Sequence, residues 1–197
     1  MQSALVKSYT KDGLSLGQIV EKFSIPSSTV VYYLEKHGID RRSRSDAVTR
    51  WYITAHFKRP FVLNDNLSER EKRLKLAGVM LYWAEGAKGG GSVKFINSDP
   101  QMIKLFLEFL RSVCGIHEDR LKLLIHRYPD LDDDSLKIFW SSVTNVPQKN
   151  FYKSTVHVGK TGTYKNKSLH GTLAINYSDK RLLNLINSWI EEYKITL

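Results

Sequence analysis

The stretch from Lys75 to Ala87, Lys-Leu-Ala-Gly-Val-Met-Leu-Tyr-Trp-Ala-Glu-Gly-Ala, limits most strongly what this chain can fold into. It is uncharged from Leu76 to Ala84 and then meets Glu85 and Gly86. Small residues at Ala77, Gly78, Ala84 and Gly86 stand among bulky ones, as in a helix whose backbone packs closely on another. Its last turn brings a carboxylate to the end of an apolar helix, where a charge is costly unless water or a cation receives it. Held beside a twin from a second helix, such a carboxylate makes a hard oxygen site suited to Mg2+ and to phosphodiester hydrolysis. A buried core helix that ends at Gly86 with Glu85 in solvent fits the same residues.

The ending Ala84-Glu85-Gly86 after an apolar run resembles the motif of LAGLIDADG homing endonucleases, whose consensus ends Asp-Ala-(Asp/Glu)-Gly. The resemblance implies that Glu85 is the metal-binding catalytic acid, Ala84 the small residue before it and Gly86 the terminal glycine. Gly78 stands near the helix-packing glycine of the consensus, while Met80 occupies that glycine's place and Trp83 the place of an acid.

The chain has 197 residues, enough for one mid-sized domain or a small one and a larger one, and it is 42% hydrophobic, enough for a core. Its net charge of +10 favours a polyanionic partner, with nucleic acid ahead of an anionic membrane surface. No apolar run approaches the roughly 20 residues that span a bilayer. No signal pattern opens the chain, and its one cysteine, Cys114, fits a reducing compartment, so a cytoplasmic protein is expected. Cys114 and His117 form a lone C-x-x-H pair, which reads as core packing rather than zinc.

In chain order, residues 3–11 read as a helix stopped at Gly13. Ser15 to Gln18 is a capping box opening a second helix to Phe23. Ser24-Ile25-Pro26 breaks it, and a third helix runs from Ser27 to His37. Val30 and Leu34 face back onto Ile19 and Phe23. This pattern resembles the helix-turn-helix of resolvases, where Ser-Thr-Val and a following Leu occupy the same places. The resemblance implies that Ser27, Ser28, Thr29, Tyr32 and Lys36 face the major groove. The basic arm with Arg41, Arg42 and Arg44 follows, able to lie along phosphates or in the minor groove.

Ser68 and Glu71 form a second capping box at the head of the central helix. Beyond Gly86 the alternation and caps predict strands at 92–97, 120–126, 151–158 and 171–177, and helices at 99–114, 136–143 and 179–193. Val93 to Asp99 and Leu173 to Asp179 echo each other, each a strand ending at Ser-Asp before an amphipathic helix. Residues 136–146 would be a second motif helix, yet they carry no acid and no terminal glycine. The family resemblance covers about residues 70–195 and implies either a pseudo-symmetric core with one dead half or one half that forms a homodimer.

The expected fold is α+β: a three-helix helix-turn-helix module at 1–45, a basic linker at 46–69, and a LAGLIDADG-like core at 70–197 with helices packed on twisted antiparallel sheet. In that family the sheet lies over the duplex. The resemblance puts Lys94, Lys153 and the loop residues Lys160, Lys165 and Lys167 against DNA. Gly159-Lys-Thr161 lacks the earlier glycine of a phosphate loop, because Ser154 holds that place. No small-molecule cofactor and no membrane partner are expected. The expected partner is double-stranded DNA. Three functions stay open: a Mg2+-dependent site-specific endonuclease, a regulator that binds DNA on the same scaffold without cutting, and an α/β domain using its helix-turn-helix for protein contacts.

Overall fold

The computed structural model describes residues 2–56, 60–157 and 168–196. The chain is α+β and divides into two compact units, Met1–Arg59 and Pro60–Leu197.

The first unit holds α1 (Gln2–Thr10), α2 (Leu16–Phe23), α3 (Ser27–Lys36) and α4 (Arg44–His56). Ser15 accepts from the backbone of Gln18 while the Gln18 side chain accepts from that of Ser15, which starts α2. Ser24 ends it in the left-handed region at φ 51°, and Pro26 then sets the entry to α3. Leu5, Tyr9, Ile19, Val30 and Leu34 form a small core, with Val20, Phe23 and Ile25 packed on it. The stretch expected as a basic linker is therefore helical over α4. Its Thr49 and Tyr52 are buried, and those two residues, three apart on one helix face, are the local reason it is ordered.

The second unit starts with α5 (Glu69–Glu85), launched by the reciprocal bonds of Ser68 and Glu71. Then come β1 (Val93–Asn97), α6 (Pro100–Ser112), β2 (Leu121–Arg127), α7 (Asp133–Thr144), β3 (Thr155–Val156), β4 (Thr172–Tyr177) and α8 (Lys180–Thr196). The four strands form one sheet in the order β1-β4-β2-β3. The echoed segments are β1 with α6 and β4 with α8. Asp99 caps α6 through Gln101 and Asp179 caps α8 through Arg181 and Leu182. The two echoing strands are antiparallel neighbours, Val93 opposite Tyr177 and Asn97 opposite Leu173.

The sheet corrects one expectation. It is mixed, not antiparallel throughout, because β3 runs parallel to β2 with His126 opposite Thr155. The cause lies in the connection: α7 separates the two strands and returns the chain to the same end of the sheet, as parallel pairing requires. Of the strand expected over 151–158, only Thr155 and Val156 pair as a strand among the described residues, and Val158 lies outside them. Phe151 makes only an isolated parallel bridge to Leu123 before the chain reaches Thr155.

The core of this unit lies between one face of the sheet and the helices. Phe95, Phe106, Phe109, Trp140 and Tyr177 are its largest fully buried side chains apart from Tyr82. Cys114 is fully buried there, and burial pushes its thiol well above the ordinary range, as expected of a packing residue. Among the described residues no helix is long and apolar enough to cross a membrane.

Candidate nucleic-acid interface

On α3, Ser27, Ser28, Tyr32 and Lys36 are exposed and Thr29 is half-buried, while Val30 and Leu34 turn into the core. Helical spacing enforces this split, since positions three and four apart share a face. Tyr32 is 56% exposed; its ring meets Tyr33 edge-on at 5.4 Å, and Lys36 Nζ lies 6.0 Å from its centre. The face offers hydroxyls, a phenol and the Lys36 ammonium, with one exposed acid, Glu35, beside them.

The basic arm divides. Arg41 and Arg44 are exposed and carry no ion pair among the described residues. Arg42 is a correction. Its guanidinium donates to the carbonyls of Gly13 (3.1 Å), Tyr9 (3.2 Å) and Leu14 (2.6 Å) and lies 3.9 Å from the centre of the Tyr9 ring. Its backbone N–H also donates to the Tyr9 hydroxyl. Those bonds spend both terminal nitrogens inside the unit, so Arg42 ties α1 to the turn before α2 and leaves the set of phosphate contacts.

In the second unit, Lys94 is exposed on β1 and points away from the core, because Val93 and Phe95 on either side are buried. The same alternation along β2 turns Lys122 and Leu124 outward between buried Leu121, Leu123 and Ile125. On β4, Asn176 is the half-buried residue between buried Ile175 and Tyr177. Register aligns these positions: Lys94 and Lys122 both stand opposite Asn176, and Ile96 and Leu124 both stand opposite Ala174. One row is therefore Lys-Asn-Lys and the next is apolar, with neighbouring strands about 4.8 Å apart. The Asn176 amide oxygen is buried and has no hydrogen-bond partner, an uncommon state for such an atom. Lys122 and Asn176 were missed as candidates, although the alternation in Leu121 to Arg127 is enough to place Lys122 on this face.

At the β3 edge the face ends in two histidines. His157 Nε2 lies 3.2 Å from His126 Nδ1, and the rings are stacked. Burial, and then the neighbouring His157, hold the His126 pKa below its usual value. Lys153 is exposed just before β3. Lys160, Lys165 and Lys167 lie outside the described residues.

Glu85 ends α5 in an exposed position and makes no ion pair or side-chain hydrogen bond among the described residues. The chain turns directly from it into the sheet: Gly86 bridges to Phe95, and the Ala87 N–H donates to the Lys94 carbonyl at 3.0 Å. The Tyr82 hydroxyl donates to the Ala87 carbonyl and fixes this turn. Glu85 thus sits at the β1 edge, a few residues along the backbone from the partner of Lys94. Gly78 is buried against α6, Gly86 is buried beneath Tyr82, and Ala84 is exposed. Among the described residues, no three His, Cys, Asp or Glu side chains cluster to hold a metal. Asp99 uses a carboxylate oxygen as the α6 cap.

One face of α5 is unused by the unit's own core. Leu74, Gly78, Val79 and Tyr82 are buried, whereas Leu76 is 40% exposed with Ala84 open, and Trp83 is 37% exposed with Lys194 Nζ of α8 5.6 Å from its ring centre. No family model, curated protein or solved structure matches this chain.

Proposed function

We propose that this chain is a double-stranded DNA-binding protein, with a resolvase-type helix-turn-helix ahead of a single LAGLIDADG-like half. The observation that carries the reading is the outward row Lys94-Asn176-Lys122, set in register across three strands of the sheet. Lysine ammoniums donate to guanine O6 and N7 or to phosphates, and an asparagine amide N–H can donate to a base-edge acceptor. In the adjoining row, Ile96 and Leu124 on either side of buried Ala174 suit thymine methyl groups. The exposed face of α3 offers a second reading head.

For the chemistry, two readings differ in what Glu85 does. Mg2+ takes near-octahedral oxygen coordination and keeps several waters, usually with one or two carboxylates and substrate phosphates. A lone Glu85 is a poor resident site for such an ion. This favours a regulator that binds DNA without cutting it. The endonuclease reading requires Glu85 from a second copy, and the outward face of α5 supports that pairing. The single sheet and the single helix that ends Ala-Glu-Gly among the described residues favour one half that dimerises over two halves in one chain.

Binding and cleavage of a duplex library by purified protein, with and without Mg2+, test both readings. Retention of duplexes sharing a sequence, lost in a Lys94→Gln, Lys122→Gln double variant, is the expected result. Retention independent of the sheet row would remove its foundation. Cleavage that needs Mg2+ and disappears in Glu85→Gln would select the endonuclease; binding with no cleavage in either protein selects the regulator.

A further inference from the structure

The N-terminal unit contains a cleft of about 730 Å³ that the DNA-binding reading does not use. This volume lies within the roughly 300–1,000 Å³ of small-molecule sites. Its walls are the turn between α1 and α2, the first turn of α2, the Arg41–Arg44 arm and one face of α4.

The α4 wall follows from spacing. Arg44, Ala47, Arg50 and Trp51 recur at three- and four-residue intervals and so share a face, with the small Ala47 leaving room between the arginines. Arg41 and Arg44 carry no ion pair among the described residues. Arg50 lies over Gly13 and donates to the Lys11 carbonyl at 3.4 Å, and Arg42 is spent on the three carbonyls described above. The one carboxylate in the lining, that of Asp12, accepts from Ser8 Oγ at 3.3 Å. Trp51 is 66% exposed on this wall. On the opposite side, a Cβ added to Gly17 would meet only Ser15 Oγ, at 4.0 Å, so the space above Gly17 is not filled by the protein.

Guanidinium groups gathered in a concave site focus a positive potential, and their planar donors match phosphate oxygens. An exposed indole supplies a face on which a nucleobase stacks. We propose that this cleft binds a nucleoside phosphate, its phosphate on Arg41 and Arg44 and its base against Trp51. The ligand is either a free nucleotide or the phosphorylated end of a nucleic-acid strand, which share this chemistry. The site is separate from the outward face of α3 and from the sheet row of the other unit.

The test uses the full chain and adenosine 5′-monophosphate as probe, followed by calorimetry and tryptophan fluorescence. Inorganic phosphate and adenosine serve as half-ligands. Adenosine monophosphate is expected to bind at least about ten-fold more tightly than either half-ligand. Ala47→Glu, which sets a carboxylate between the arginines at an exposed helix position, should weaken it by a similar factor. Arg44→Gln should weaken it in parallel, with both variants keeping the parent circular dichroism, and Trp51→Leu should remove the fluorescence change. Equal affinity for adenosine monophosphate and inorganic phosphate would overturn the proposal, as would binding unaltered in both Ala47→Glu and Arg44→Gln. Displacement of the probe by a 5′-phosphorylated single strand, but not by the same strand without its phosphate, supports the strand-end source. Failure of both strands to displace it supports the free nucleotide. A blunt duplex lacking terminal phosphates that displaces it as well as the phosphorylated strand would give these arginines to the duplex backbone and overturn the site.

Discussion

The Phe109 ring of α6 lies against the bare backbone of Gly78 on α5, so that a Cβ at position 78 would overlap both Cβ and Cγ of the phenylalanine. The two helices are brought together at this point, and Phe109 continues the contact into the core through Phe106, whose ring centre is 5.7 Å away. Gly78→Ala therefore overpacks a full core, and a loss of about 1–3 kcal/mol is expected in denaturant unfolding. Gly89→Ala, where an added Cβ meets nothing within 4 Å, should stay within about 0.5 kcal/mol. A mild effect at position 78 would mean that α6 can retreat.

Arg42 and Arg41 should behave as opposites despite being neighbours. Arg42→Met removes charge-assisted bonds to the carbonyls of Tyr9, Gly13 and Leu14, and should destabilise the first unit by about 2–4 kcal/mol. Hydrogen exchange of the α1 and α2 amides reads this directly. Arg41→Gln should leave the same amides unchanged, because its side chain is exposed. Faster exchange in Arg41→Gln would show that the arm as a whole holds the unit.

For the sheet row, charge and sequence preference should separate. Lys94→Gln and Lys122→Gln should each lower the slope of log affinity against log salt by about one where the ammonium meets a phosphate. Asn176→Ala should leave the slope alone and relax preference at one base position, at a cost of about 0.5–1.5 kcal/mol for the best duplex. Equal losses on all sequences for Asn176→Ala would place the amide outside base reading.

His126 provides a pH dependence. Its folded pKa is depressed by burial and by His157, so the fold favours the neutral ring. For a lowered pKa the unfolded chain binds the extra proton first. The stabilisation is then complete above the unfolded value near 6.5 and declines as pH falls through the folded one. The proton resonances of the His126 ring should titrate below 6.5, and His157→Ala should move the midpoint upward. A midpoint unaltered in His157→Ala would leave burial as the sole cause.

What the sequence discloses here is what local chemistry dictates. Both capping boxes, Ser15 with Gln18 and Ser68 with Glu71, form as read, because a cap is settled within one turn of chain. The Asp99 and Asp179 helix starts follow for the same reason, as does the inward turn of Val30 and Leu34. The direction of β3 was not legible, since Thr155 and Val156 would alternate identically in a parallel or an antiparallel partner. The position of α7 between the strands decides it. Arg42 was hidden because the three carbonyls that capture it lie 28 or more positions back along the chain. Its sequence neighbours Arg41 and Arg44 look the same on paper and remain in solvent. Asn176 drew no notice because a single polar residue in a strand acquires meaning only from the residues opposite it, Lys94 and Lys122.

The position of β4 in the sheet has a further consequence for how the protein comes into being. Thr172–Tyr177 is the last of the four strands to be synthesised, yet it lies between β1 and β2 and pairs with both. A nascent chain leaving the ribosome must therefore carry β1 and β2 with open edges until their shared neighbour emerges. Its early helices can form from local bonds, but the second core cannot close around Phe95 and Leu123 before then. That interval is when such edges pair wrongly or recruit a chaperone, so translation pauses between β2 and β4 should lower the yield of folded protein.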